Sequence, residues 1–346
     1  MRIAVLGAGG LGKAACRIIA QKRELRLVAI CDSRGALHDP AGLPCEHIAD
    51  YERDLVTGFE SSQEAVAEES GGVATATRTS AIVEATDDGI GRIIDWTRAG
   101  AIDGIFIALP NLPNAFLPGV ARRFFDAGCA VLMTDALKRT QAMELTLSLE
   151  ASAKRARAVY LTGCGATPGL LTAAAVLAAQ SFTSVEHVDI FWGVGIANWE
   201  AYKATIREDI AHLPGFTVEQ AQAMTDADVE ALLDKTDGIL KLRQMEHADD
   251  VLLQRAGVVE RRDQVTVGGV MDTRHAKKPV STTMTLTGTT FEGKRSSHRF
   301  VLGDETSMAA NVIGPALGYL KRAQWLKQHG IYGVFGSTEF MPCIVK

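Results

Sequence analysis

Apolar positions along this chain fall into two rhythms that alternate. Short, nearly unbroken apolar runs cover residues 2–6, 25–31, 81–85, 104–109, 130–134 and 159–162. Between them lie stretches with apolar residues every three or four positions, over 13–21, 88–99, 115–127 and 137–157. In the first of these, Ala14, Ile18 and Ile19 are the apolar anchors. The short runs read as buried strands and the periodic stretches as amphipathic helices. Strands separated by helices at this spacing predict a doubly wound parallel sheet, a Rossmann arrangement, with ligands at the carboxyl ends of its strands. Residues 36–80 are polar and less regular, and are expected to form excursions from the sheet.

The rhythm changes after Gly163-Cys164-Gly165-Ala166-Thr167-Pro168-Gly169. A helix is expected over 170–180, a strand over 185–193 and one acidic helix over 219–240. Strand patterns follow over 264–271, 280–288 and 298–302, with a hairpin turn near Gly293. A helix over 307–328, interrupted by Gly314-Pro315, comes last. The fold class is therefore α/β. A dinucleotide-type domain is assigned to 1–165 and an α/β substrate domain to 166–346, with the helix 307–328 free to pack back on the first.

Composition narrows the function. At 346 residues and 47% hydrophobic, the chain can bury two cores. A net charge of −5 argues against a nucleic-acid partner held by phosphate attraction. The longest apolar stretch, 169–180, is too short to span a membrane, and the N-terminus reads as a first strand, not a signal peptide. The cytoplasm is the expected location. The six cysteines form no C-x-x-C pair, so they are read as reduced thiols and no metal site is expected. A homo-oligomer remains open.

The first strand runs into Gly7-Ala8-Gly9-Gly10-Leu11-Gly12, a G-x-G-x-x-G turn, and the second strand ends at Asp32-Ser33-Arg34. Strand, turn, helix, strand and terminal acid together form the dinucleotide fingerprint. Gly7 permits the turn, Gly9 admits a pyrophosphate, and Gly12 lets the helix pack on the strand. Gly10 and Leu11 open the helix whose free N–H groups face the diphosphate. Asp32 suits the ribose hydroxyls of NAD, whereas Arg34 could meet the 2′-phosphate of NADP; the cofactor is NAD or NADP.

Lys138, just past the strand 130–134, is the leading reactive residue. Burial or the neighbouring Arg139 would lower its pKa and free the amine as a nucleophile; the alternative is a lysine in the first turn of a surface helix. Pro110 and Asn111 close the preceding strand near the cofactor, and Asn114 is expected to cap the next helix. In the run from Asn198 to His212, Trp199 and Tyr202 could line a substrate pocket. Arg207 could pair with a substrate carboxylate, with Arg274 as second choice. His212 or Glu208 could move protons, although an exposed helix with internal ion pairs reads equally well. Glu246-His247-Ala248-Asp249-Asp250 fits no standard zinc spacing and is read as a solvated helix start. Asp304-Glu305-Thr306-Ser307 reads as a helix N-cap that could also supply a site carboxylate.

The opening, through Asp39-Pro40-Ala41-Gly42-Leu43, resembles homoserine dehydrogenases. A longer likeness is carried by ALPNLPN, TDALKRT, TGCGATPGLLTAAAVLAAQSF, GVGIANWEAYKATIREDIAHLPGF and GDETSMAANV. With these the chain resembles the saccharopine-dehydrogenase-like proteins of the biotin pathway, the single-turnover 8-amino-7-oxononanoate carboxylating dehydrogenases called BioU. The resemblance implies an NAD(P)-dependent enzyme in which a protein lysine, here Lys138, condenses with the ketone of 8-amino-7-oxononanoate. The substrate's amino group takes up CO2, and the lysine nitrogen leaves on the carbamate of 7,8-diaminononanoate, with an aldehyde left on the protein. The residues alone leave two other classes open: a multiple-turnover homoserine- or saccharopine-type dehydrogenase, and a non-catalytic NAD(P)-sensing protein.

Overall fold

The computed structural model describes residues 1–52, 54–69, 81–111, 113–197 and 199–346. Leu112 and Asn198, within two of the motifs above, lie outside them. The strands in chain order are β1 (Arg2–Leu6), β2 (Arg26–Cys31), β3 (Gly35–His38), β4 (Ile82–Ala85), β5 (Gly104–Ile107), β6 (Leu132–Asp135), β7 (Val159–Thr162), β8 (Phe182–Gly195), β9 (Ile239–Leu242), β10 (Val265–Asp272), β11 (Thr282–Thr290), β12 (Arg295–Leu302) and β13 (Gly333–Gly336).

Among the described residues these form two sheets. The first has the order β13-β7-β6-β5-β1-β2-β3-β4, and in it only β3 runs against the rest. Its strands other than the edge strand β4 are largely buried on both faces, as their continuous apolar runs require. One face is covered by helices Gly10–Ala20 and Met308–Gln328, through Ala15, Ile19, Ile313, Leu317 and Leu320. The other is covered by helices Gly89–Arg98, Phe116–Asp126 and Thr140–Leu147, through Ile93, Phe124 and Met143. The second sheet has the mixed order β12-β11-β8-β10-β9. Its own core includes Leu171, Ile190, Trp192, Ile206, Leu252's neighbour Leu253 and Met284.

Tertiary packing overrides several expectations. Residues 35–38 are not an excursion: the Asp32 carboxylate accepts from the Arg34 and Gly35 amides and turns the chain back as the buried strand β3. The stretch 137–157 is two helices, Thr140–Leu147 and Glu150–Arg155, because Leu149 turns into the core between them. The stretch 219–240 is also two helices, Val218–Ala223 and Asp226–Lys235, each started by its own threonine cap, followed by β9. Conversely, Met308–Gln328 continues through Pro315, since burial of Ile313, Pro315, Ala316 and Leu317 compensates the missing N–H. That helix packs on a face of the first sheet, and β13 joins the edge of that sheet beside β7.

Candidate active site

The Gly7–Gly12 turn divides its duties among three glycines. Gly7 has φ +102°, and a Cβ there would lie 2.6 Å from the Ala108 carbonyl oxygen. A Cβ on Gly12 would lie 1.8 Å from the Gly7 carbonyl oxygen. Both are glycine for packing. Gly9 differs: its backbone is extended (φ −73°, ψ −170°) and a Cβ would meet nothing within 4 Å. Gly9 therefore borders open space at the start of helix Gly10–Ala20, where amide N–H groups are free for an anion. The cleft over this turn is lined by Gly7, Gly9, Gly10, Leu11, Asp32 and Ser33, and farther along by Pro110, Asn111 and Tyr202. These residues fit a dinucleotide lying with its pyrophosphate on the turn. Arg34 is exposed and does not line the cleft, while the two oxygens of Asp32 already accept from Arg34, Gly35 and Leu55 amides.

A second cavity opens beside the cleft and shares Leu11, Asn111, Tyr202 and Thr205 with it. Lys138 stands in its wall. The residue is not in a helix: Asp135 is buried at the end of β6 and accepts from the Leu137 and Gly163 amides and from Tyr160 and Thr162 hydroxyls. That carboxylate holds the chain extended past the strand, so Lys138 and Arg139 precede helix Thr140–Leu147. The Lys138 ammonium lies 2.9 Å from Asp209 Oδ1 and 3.4 Å from Glu208 Oε2. Both carboxylates come from helix Lys203–Ile210, whose Ile206 and Ile210 anchor it in the second core. Asn111 completes the cluster, donating to Glu208 at 3.3 Å and accepting from the Lys138 amide at 3.4 Å.

The electrostatics reverse the expectation for this lysine. Burial alone would lower its pKa, but attraction to Asp209 and Glu208 outweighs burial and holds the ammonium above its ordinary range. Arg139 does not act on it as expected; its guanidinium is taken by Glu246 at 2.6 Å and by His212 at 3.0 Å. Burial pushes the Glu208 carboxyl up, against the pull of Lys138, and its Oε1 has no partner among the described residues. Glu208 is thus the natural acceptor for a proton leaving Lys138.

The other sequence-predicted residues divide between the site and positions away from it. Tyr202 lines both the cleft and the cavity. Trp199 is buried in the second core, with its indole N–H on Glu230 at 2.5 Å. Arg207 lines neither space; it is tied to Asp226 at 2.6 Å and to the Met224 carbonyl. Arg274 is held by Glu230 and Asp234. His212 lines neither space, and burial beside Arg139 pushes it down to about 4, so it is a neutral partner of that arginine and not a proton carrier at the cavity. Asn114 caps no helix and instead donates to Gln141 at 2.6 Å.

Sequence reasoning missed two features of the cavity. Lys278 lines it without a carboxylate partner among the described residues, its ammonium donating to the Gly303 carbonyl at 2.7 Å and to Thr306. His247 also lines it, paired with Asp249; helix Asp249–Arg255 does begin here, but both side chains are buried, not solvated. The rest of the wall is largely apolar: Trp192, Val194, Met245, Met271, Leu302, Met308 and Val312 among others. Nothing in residue spacing signals Lys278, because β10, β11 and their connection bring it there from a distant stretch of chain.

The chain is 43% identical over 99% of its length to the "(S)-8-amino-7-oxononanoate synthase BioU" of Haloferax mediterranei, covering 99% of that protein. It belongs to the BioU family. A profile described as Glutamate/Leucine/Phenylalanine/Valine dehydrogenase matches residues 1–88, the part holding the glycine turn. Solved structures with the same fold include the C. glutamicum DAP dehydrogenase in complex with DAP (TM-score 0.55, 16% identity, 98% of this chain and 93% of that one). An engineered D-amino acid dehydrogenase bound to NADP+ is similar as well (TM-score 0.51, 15% identity, 98% and 93%). This BioU-family enzyme therefore carries the NAD(P)-dependent dehydrogenase fold, with a lysine-carboxylate cluster where its two spaces meet.

Proposed function

We propose that this BioU-family chain works in biotin biosynthesis, converting 8-amino-7-oxononanoate and CO2 to the carbamate of 7,8-diaminononanoate, with Lys138 as amino donor in a single turnover. The observation that carries the reading is the Lys138 amine, part-buried at the junction of a dinucleotide-shaped cleft and an apolar cavity. The Gly7–Gly12 turn would hold NAD or NADP, which when bound would supply hydride-transfer chemistry.

The protein's own groups have definable work. Lys138 must lose a proton before its nitrogen can attack the substrate ketone, and Glu208, pushed up by burial, receives it. The protonated Glu208 then returns that proton to the departing hydroxyl as the imine forms. Asp209 keeps the nitrogen aimed at the cavity. The apolar wall accommodates the substrate's polymethylene chain, and exclusion of water there protects the imine. Lys278 is the cation for the substrate carboxylate, in place of Arg207.

Two substitutions separate these carboxylate assignments. Lys278→Met is expected to raise the substrate concentration needed for half-maximal adduct formation about tenfold, or ~1.4 kcal/mol. Arg207→Ala should leave it unchanged within about twofold, as expected for a residue outside the cavity. Equal values for Lys278→Met and the unaltered protein would remove Lys278 from the substrate. Glu208→Gln, which keeps the shape but cannot take a proton, should slow adduct formation by about 100-fold or more, read by intact mass against time.

One observation favours a second reading. The raised pKa of Lys138 suits a lysine that stays protonated and donates a proton in an ordinary, multiple-turnover dehydrogenase. Counting product formed per protein chain separates the two: one product per chain supports the single-turnover role, and many products per chain support the other.

A further inference from the structure

The end of the cleft at β2, where the ribose of an adenosine would lie, is rimmed by three carboxylates. Asp32 follows β2 directly. Asp87 and Asp88 reach the same rim from the connection between β4 and helix Gly89–Arg98. Gly89 brings them there. A Cβ on it would lie 2.8 Å from the Asp32 carbonyl oxygen and 2.7 Å from that of Gly35, so glycine lets the helix start press against the end of β2.

The three carboxylates differ in what they already hold. Asp32 accepts from the Arg34 and Gly35 amides through Oδ1 and from the Leu55 amide through Oδ2, which commits it to the turn into β3. Asp88 caps its helix, with Oδ1 accepting from the Gly91 amide at 3.0 Å, and its Oδ2 takes the Arg123 guanidinium at 2.6 Å. Asp87 is exposed, and its carboxylate has no partner among the described residues.

Positive charge on this lining is already spent. Its cations among the described residues are Arg123, paired with Asp88, and Lys203, paired with Asp226 at 2.5 Å. Arg34, the sequence's candidate for a 2′-phosphate, points away from the lining. A 2′-phosphate would therefore enter an acidic rim with no free cation to meet it, and juxtaposed like charges are strongly unfavourable. A free ribose brings hydroxyl donors, which an unpartnered carboxylate accepts.

We infer that this chain selects the dinucleotide with a free adenosine ribose, NAD over NADP, and that Asp87 and the Asp88–Arg123 pair set the choice in place of Asp32. The inference rests on the assignment of this cleft to a dinucleotide in the proposed function. Asp87 accepts from the ribose hydroxyls and repels a 2′-phosphate. Asp88 acts by holding the guanidinium that would otherwise meet that phosphate.

The test is calorimetric titration of the whole protein with NAD+ and with NADP+, without substrate, so that binding is read apart from activity. The unaltered protein is expected to bind NAD+ about 100-fold more tightly. Asp87→Asn, an exposed change that should leave the melting temperature unaltered, is expected to reduce that ratio about tenfold. Asp88→Asn keeps a capping side chain and releases Arg123, so NADP+ should bind about tenfold more tightly, and adding Arg123→Met should cancel the gain. Raising salt from about 0.05 to 0.5 M should narrow the ratio, because the repulsion is screened. Equal affinities or a preference for NADP+ in the unaltered protein would overturn the inference. So would a ratio that neither Asp87→Asn nor Asp88→Asn changes, or one indifferent to salt. If neither dinucleotide binds, the cofactor assignment of the cleft fails and takes this inference with it; if both bind equally, the assignment stands and this inference alone falls.

Discussion

Lys138→Arg is expected to bind dinucleotide normally and to form no product. Arginine keeps the positive charge between Asp209 and Glu208, so the ion-paired cluster and the fold should persist. A guanidinium with a pKa above about 12 cannot supply the free nitrogen that attacks a ketone. In the unaltered protein, the same reading demands a covalent record. Reduction of the imine should give a stable secondary amine on Lys138, and completion of the reaction should convert the lysine to an aldehyde, lowering the mass by about one dalton. Peptide mapping should place both changes at residue 138. A Lys138→Arg protein that makes product, or unaltered protein that makes many equivalents with residue 138 intact, would move the chain to the ordinary dehydrogenases. Because attraction to Asp209 and Glu208 holds the ammonium above its ordinary range, adduct formation should also accelerate as pH rises within the stable range.

Gly9→Val should abolish dinucleotide binding and leave the fold nearly untouched. The extended backbone at Gly9 accepts any residue, and the added side chain meets no protein atom at its Cβ. It would project into the space over the helix N-terminus where a pyrophosphate approaches the backbone. A loss of about 100-fold or more in affinity, ~2.7 kcal/mol, is expected by calorimetry, with a melting temperature close to that of the unaltered protein. Gly12→Val should behave in the opposite order, losing stability first, since its Cβ would lie 1.8 Å from the Gly7 carbonyl oxygen. Unchanged dinucleotide affinity in Gly9→Val would remove the turn from the cofactor site.

The glycine turn and the cleft over it were legible because their information is local. A glycine turn, the helix that follows and the acid at the end of the second strand lie within 32 residues, and each has a backbone reason for its residue type. Lys138 was legible as a position, one residue type past a strand end, but not as a chemical state. Its pKa is set by Glu208 and Asp209, some 70 residues away in sequence, which the second domain's helix Lys203–Ile210 delivers to it. Of the run from Trp199 to His212, the structure brings Tyr202, Glu208 and Asp209 to the two spaces and places Trp199, Arg207 and His212 away from them. Helical periodicity cannot say which face meets the lysine, so Arg207 was favoured and Asp209 passed over.

Sequence alone thus determined the alternation of strands and helices, the α/β class, the glycine turn and the place of Lys138 just past a strand end, all features written in neighbouring residues or in a fixed period. Only the tertiary structure decided what surrounds that lysine. Long-range packing returned the C-terminal helix Met308–Gln328 and β13 to the first sheet, brought Lys278 into the cavity wall, and buried His247 with Asp249 beside Lys138. Burial and charge at these places depend on which distant segments meet, and no local pattern encodes that meeting; the net effect on each titrating group follows from the neighbours the fold supplies.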